Sequence, residues 1–217
     1  MDGASGLRRP GSKAADFAAR DLVQSLKGEL DDRLRDKNKD LQTILFESII
    51  AIQDNHPAAR SVLRDLSKSG EMGGPSSGIT ITRLREDGRM EYYSLGDCTL
   101  SVKYKDGSVE AYTNQDIVRL DNNVLGNMVK AVEKRTVKTV REAIKLPEIQ
   151  AELLANRNRK NKEDGYWVLD LSGLGIPHGT YRTFNPDIIE SFVLTSDGTS
   201  DLYASHTEEE VHDWFVL

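Results

Sequence analysis

A lone cysteine, Cys98, excludes any disulfide within this chain of 217 residues, and its place in a strand-like run reads as a buried structural thiol. No apolar run approaches the ~18 residues a membrane-spanning helix needs; the longest are strand-length and broken by charge. The N-terminus lacks the basic start and apolar core of a signal peptide, so a cytoplasmic protein is expected. Histidine is scarce, and His56, His178, His206 and His212 follow no metal-binding spacing. Positive charge is not in excess either: 29 Lys and Arg stand against 35 Asp and Glu, for a net charge of −6 and a pI near 5.3. A broad basic face for nucleic acid is thereby excluded, and neither nucleic acid nor membrane is an expected partner. There is no internal repeat and no low-complexity tract. What remains, 38% hydrophobic and 29% charged, fits a single globular domain over residues 1–217.

Aspartate before or after glycine is the recurrent feature. Residues 188–202 hold an apolar strand, Phe192-Val193-Leu194, which delivers Ser196-Asp197-Gly198 at its end. Asp2-Gly3 opens the chain, and Tyr92-Tyr93-Ser94-Leu95 leads into Gly96-Asp97. Three such aspartates meeting at one sheet rim, with neighbouring carbonyls, make a hard oxygen site suited to Mg²⁺ or Mn²⁺. Asp-Gly is also a common turn dipeptide, and Asp87-Gly88, Asp106-Gly107 and Asp164-Gly165 read as turns. Arg157, Arg159, Lys160 and Lys162 form one basic cluster, read either as a solvated helix end or as a contact for substrate.

Periodicity predicts a helix capped by Ser12 and carrying Phe17, Leu22, Leu26, Leu30 and Leu34, then a second with Leu41, Ile44, Leu45, Ile49 and Ile52 on one face. The Gly/Ser-rich residues 69–78 end the helical region. Strands over 79–84, 90–95, 100–104 and 109–113 follow as an antiparallel meander. Leu125, Met128, Val129 and Val132 return to helical spacing, and Pro147 opens a further helix. A strand over 166–171, a loop over 173–179 and the strand before Asp197 come next. A capping box at Thr207-Glu208-Glu209-Glu210 starts a last helix with Val211, Trp214 and Phe215. Such an order implies antiparallel sheets with helices packed outside them.

Asp2-Gly3-Ala4-Ser5-Gly6, Gly96-Asp97 after a strand and Ser196-Asp197-Gly198 after Phe-Val-Leu stand in the order and approximate spacing of the metal-dependent serine/threonine phosphatases of type 2C. Ser77-Gly78-Ile79-Thr80 before the meander and Gly165-Tyr166-Trp167 within 161–168 match as well, and the chain most resembles the small bacterial branch of that family. The resemblance implies an α+β fold, a four-layer αββα sandwich with its first strand or strands and its last strand missing. It implies two, or with Asp97 three, Mn²⁺ or Mg²⁺ ions, and a metal-bound hydroxide that attacks the phosphorus of a phosphoprotein substrate. Asp2 resembles the bridging carboxylate, Gly3 the neighbour offering its carbonyl, Asp197 the carboxylate completing one shell, and Asp97 the ligand of a third metal. Arg157, Arg159 and Lys160 would lie on a flap beside the site. Ala4 stands where a histidine often protonates the leaving group, and the upstream acidic ligand and phosphate-gripping arginine have no counterpart here. A non-catalytic module that binds a phosphoprotein or regulatory partner is therefore the alternative. Haloacid-dehalogenase phosphatases use an Asp-x-Asp pair, which Asp2-Gly3-Ala4 does not provide.

Overall fold

The computed structural model describes residues 17–69 and 74–196, together with the backbone of β1 (Asp2–Gly3). Helix α1 (Ala19–Arg33) starts where Asp21 reaches back to accept the Ala18 N–H at 2.7 Å, and it buries Leu22, Leu26 and Leu30 four residues apart. Phe17 is buried just ahead of it, and Ser12 lies outside the described residues. Helix α2 (Leu41–Asn55) is capped by Asp40, which accepts from Thr43 N at 2.8 Å. The single second helix expected ends here, because the residue before a proline is pushed out of the helical region. His56 is extended, and Pro57 opens α3 (Pro57–Ser69).

Two antiparallel sheets follow, so the class is α+β as expected. One orders β1, β2 (Ser76–Leu84), β3 (Met90–Leu95) and β7 (Thr180–Phe184), with β6 (Leu169–Asp170) also on β2. The other orders β5 (Val109–Tyr112), β4 (Thr99–Tyr104) and β8 (Ile189–Thr195). The expected four-strand meander is in fact two hairpins in different sheets. Asp87-Gly88 and Asp106-Gly107 do turn hairpins, with both glycines at positive φ (78° and 86°), but β3 does not pair with β4. The chain leaves the first sheet at Gly96, whose φ of 90° is open to glycine at little cost.

Helices α1 to α3 cover one face of the first sheet, where Leu22, Leu26, Ile44, Ile49, Ile79, Ile81, Tyr93 and Leu95 share one core. Its other face meets the second sheet through Tyr92, Leu100 and Val102, with Phe184 and Tyr112 beside them. All six residues of β3 are consequently buried. Glu91 of that strand, fully enclosed, pairs with Arg83 and accepts from Tyr181 Oη at 2.9 Å; Arg83 also donates to the carbonyls of Leu34, Asp36 and Lys39. The sheet is thereby tied to the α1–α2 link.

Helices α4 (Gln115–Glu133), α5 (Val140–Ala143) and α6 (Pro147–Arg157) gather around Val124, Met128, Ala143 and Ile149. Of the residues read at helical spacing, Met128 is buried, in one stripe with Leu120 and Val124, while Leu125 and Val129 are exposed. The strand expected over 166–171 contracts to Leu169–Asp170, and β7 falls in a stretch where no strand was expected. Strand β8 is an edge buried on one face only, with Val193 at 8% exposure and Phe192 and Leu194 at 43% each. Among the described residues, no helix is long and apolar enough to cross a membrane.

Candidate metal centre

Gly78 is the point at which the separate motifs meet. Strand β1 lies antiparallel to the start of β2, with Asp2 opposite Gly78 and Gly3 opposite Ser77. On the same stretch of β2, Ser76 faces Asp170 and Ser77 faces Leu169. The turn after β3 closes over this point. A Cβ on Gly78 would stand 3.2 Å from Asp97 Oδ1 and 3.1 Å from Cys98 Sγ, while a Cβ on Gly96 would stand 2.8 Å from Gly78 Cα. Two glycines therefore let backbone meet backbone, and the Asp97 carboxylate comes against the residue that faces Asp2. Ser94 Oγ donates to the Cys98 carbonyl and Thr113 Oγ1 to the Asp97 carbonyl, each at 3.3 Å, which holds the turn.

Strand β8 ends at the same rim. Its last residue, Thr195, pairs with Thr99, two residues beyond Asp97. Asp197 itself lies outside the described residues, as does the side chain of Asp2. Among the described residues no group of three or more His, Cys, Asp or Glu side chains is assembled. Of the described side chains against Gly78, the Asp97 carboxylate is a hard oxygen donor, and the Cys98 thiol lies beside it. A carboxylate is the kind of ligand that Mn²⁺ and Mg²⁺ take, whereas a thiol suits softer metals. His56 lies against the Phe17 ring and His178 stacks on Trp167 at 3.4 Å; His206 and His212 lie outside the described residues.

The basic cluster divides. Arg157, the last residue of α6, is half-buried and Arg159 is exposed, but Lys160 is only 4% exposed. Lys160 Nζ donates to the Gly74 carbonyl at 3.0 Å and lies 3.6 Å from Asp170 Oδ2. Burial pushes its pKa down, and the facing Asp170 charge opposes the fall. Asp170 Oδ1 in turn accepts from Ser172 N at 2.9 Å and Ser172 Oγ at 2.5 Å. Asn161 adopts φ 52° and accepts from Val168 N at 2.9 Å through Oδ1, and its buried Nδ2 has no partner among the described residues. Burial raises the pKa of Tyr166; Arg157 opposes the rise, and Asp121 and Asp97 add to it. One phenol thus feels both the end of α6 and the rim carboxylate.

Asp170 escaped the sequence reading because nothing in Val-Leu-Asp-Leu separates it from an ordinary strand-end polar residue. Gly78 and Gly96 did stand inside motifs, but their mutual contact joins residues with no spacing signal. No protein-family model, no curated protein and no solved structure matches the chain.

Proposed function

We propose that this chain is a type 2C-like phosphatase domain, dependent on Mn²⁺ or Mg²⁺, that hydrolyses phosphoserine and phosphothreonine in protein substrates. The observation that carries the reading is the junction at Gly78, where strands from three distant motifs approach one rim: Asp2-Gly3 by pairing, Asp97 by contact and the strand before Asp197 by its end opposite Thr99. Chance Asp-Gly turns have no reason to share a rim, and the turns at Asp87-Gly88 and Asp106-Gly107 sit at the far ends of their hairpins.

In this reading the fold is the four-layer αββα sandwich, with α1 to α3 outside one sheet and α4 to α6 outside the other. Asp2, the Gly3 carbonyl and Asp197 would hold two metal ions, and Asp97 would help to hold a third. When bound, the ions lower the pKa of water and neutralise charge on the phosphoryl oxygens. The protein contributes a fixed rim of carboxylates. It also contributes an oriented carbonyl at Gly3, and positive charge from Arg157 and Arg159 toward substrate phosphate or acidic substrate sequence. Alanine at position 4 supplies no proton donor, so esters with a low-pKa leaving group, such as p-nitrophenyl phosphate, are hydrolysed faster than phosphoserine or phosphothreonine, whose alkoxides leave less readily.

Hydrolysis of p-nitrophenyl phosphate across a Mn²⁺ titration tests the proposal, with Asp197→Asn as control. Metal-dependent turnover lost in that variant is expected. Turnover unchanged in Asp197→Asn sinks the assignment, and a folded chain with no metal-dependent turnover returns the non-catalytic binding module.

A further inference from the structure

Three segments meet on one buried ammonium. Lys160, three residues past the end of α6, donates to the carbonyl of Gly74, which leads into β2, and faces the carboxylate of Asp170 on β6. Ser76, two residues after Gly74, pairs with Asp170. Gly78, two residues further on and about 7 Å along the strand, faces Asp2. We infer that Lys160 is a positioning residue for the metal centre: it clamps the start of β2 to β6 so that the β2 segment opposite Asp2-Gly3 is held in register, and it acts through Gly74 and Asp170 rather than on substrate.

The clamp is built rather than incidental. The ammonium is almost wholly removed from water, yet it meets a carbonyl at 3.0 Å and a carboxylate at 3.6 Å. The carboxylate's other oxygen is fixed by Ser172, so Asp170 is oriented before Lys160 reaches it. The chain around Lys160 is equally constrained. Asn161 takes a left-handed conformation, and Gly165 passes so close to the Arg159 carbonyl that a Cβ there would overlap it. A buried ion pair is weak evidence for a stabilising role, since apolar replacements of similar volume are often tolerated. Its value here lies in direction: an ammonium can hold a carbonyl and a carboxylate at fixed places, and a thioether cannot. Groups hydrogen-bonded directly to metal ligands typically change metal affinity about 10–100-fold when removed; Lys160 acts one step further back, through the strand, which sets the lower end of that range as the expectation.

The inference rests on the metal-binding reading of the rim, and its test separates the two. Calorimetric titration of the full chain with Mn²⁺ alone is compared for wild type, Lys160→Met and Lys160→Arg, alongside thermal melting without metal. The expected result is a rise of about tenfold in the Mn²⁺ Kd of Lys160→Met, with Lys160→Arg within about threefold of wild type. Asp170→Asn, which keeps the oxygen that Ser172 binds, carries the same tenfold expectation should the methionine variant not fold. A folded Lys160→Met or Asp170→Asn whose Tm falls while its Mn²⁺ Kd stays within about twofold overturns the positioning role and leaves the metal centre standing. A wild-type chain that takes up no Mn²⁺ overturns the metal-centre reading and this inference with it.

Discussion

Alanine at Gly96 should cost far more than alanine at Gly88, although both glycines have a positive φ, 90° and 78°. An L-residue forced into that region pays about 1–2 kcal/mol, so this cost is common to the two sites. At Gly88 a Cβ meets nothing within 4 Å, and the backbone cost is the whole effect. At Gly96 the Cβ would lie 2.8 Å from Gly78 Cα, a backbone atom that cannot swing aside as a side chain does. Relieving the overlap requires β2 and the Asp97 turn to separate, at about 1–3 kcal/mol for overpacking of this kind. The sum for Gly96→Ala is about 2–5 kcal/mol, against about 1–2 for Gly88→Ala. In a chain of this size each kcal/mol moves Tm by roughly 2–4 °C. Thermal melting by circular dichroism of both variants reads the difference directly. Equal losses in the two would refute the close approach of Gly96 to Gly78, and with it the account of how Asp97 reaches the residue facing Asp2.

Other perturbations address the scaffold. Glu91→Ala removes the fully buried carboxylate from a guanidinium whose side chain is only 8% exposed, and should cost about 3 kcal/mol in urea unfolding; a loss below about 1 would show that the carbonyls of Leu34, Asp36 and Lys39 suffice for Arg83. Asp40 has its pKa below the ordinary value of 3.8: slight burial acts to raise it, and the hydrogen bonds from Thr43 outweigh that. A depressed carboxylate stabilises the fold above its unfolded pKa and loses that contribution as pH falls through the folded one. Asn caps as well as Asp at neutral pH, so Asp40→Asn should match wild type near pH 6 and overtake it in Tm toward about pH 3. A constant Tm difference across that range would contradict the capping role.

Local chemistry was legible in the sequence wherever a few neighbouring residues determine the outcome. Asp87-Gly88 and Asp106-Gly107 turn hairpins because glycine accepts a positive φ, and Pro147 opens α6 because its missing N–H costs nothing there. The long stripes of α1 and α2 were readable because apolar residues at helical spacing leave one buried face. Shorter or less regular stretches carried no such signal. Helix α4 has apolar residues on adjoining stripes, and which stripe turns inward depends on α5 and α6, so Leu125 and Val129 went outward. Strand β7, Thr-Tyr-Arg-Thr-Phe, gains its place from the ladder offered by β3 rather than from any apolar alternation.

Only the tertiary structure decided the rest, because it depends on pairs of residues far apart in the chain. That β3 and β4 belong to different sheets follows from Gly96 resting on Gly78, and neither glycine announces the other. That Lys160 faces inward follows from Asp170 and a carbonyl 86 residues away, which a run of basic residues cannot foretell. The sequence by itself determined the buried stripes of α1 and α2, the hairpin turns and the three aspartate motifs. The close approach of two glycines determined that Asp2 and Asp97 share a rim, since only residues without a Cβ let two backbones pass at that distance.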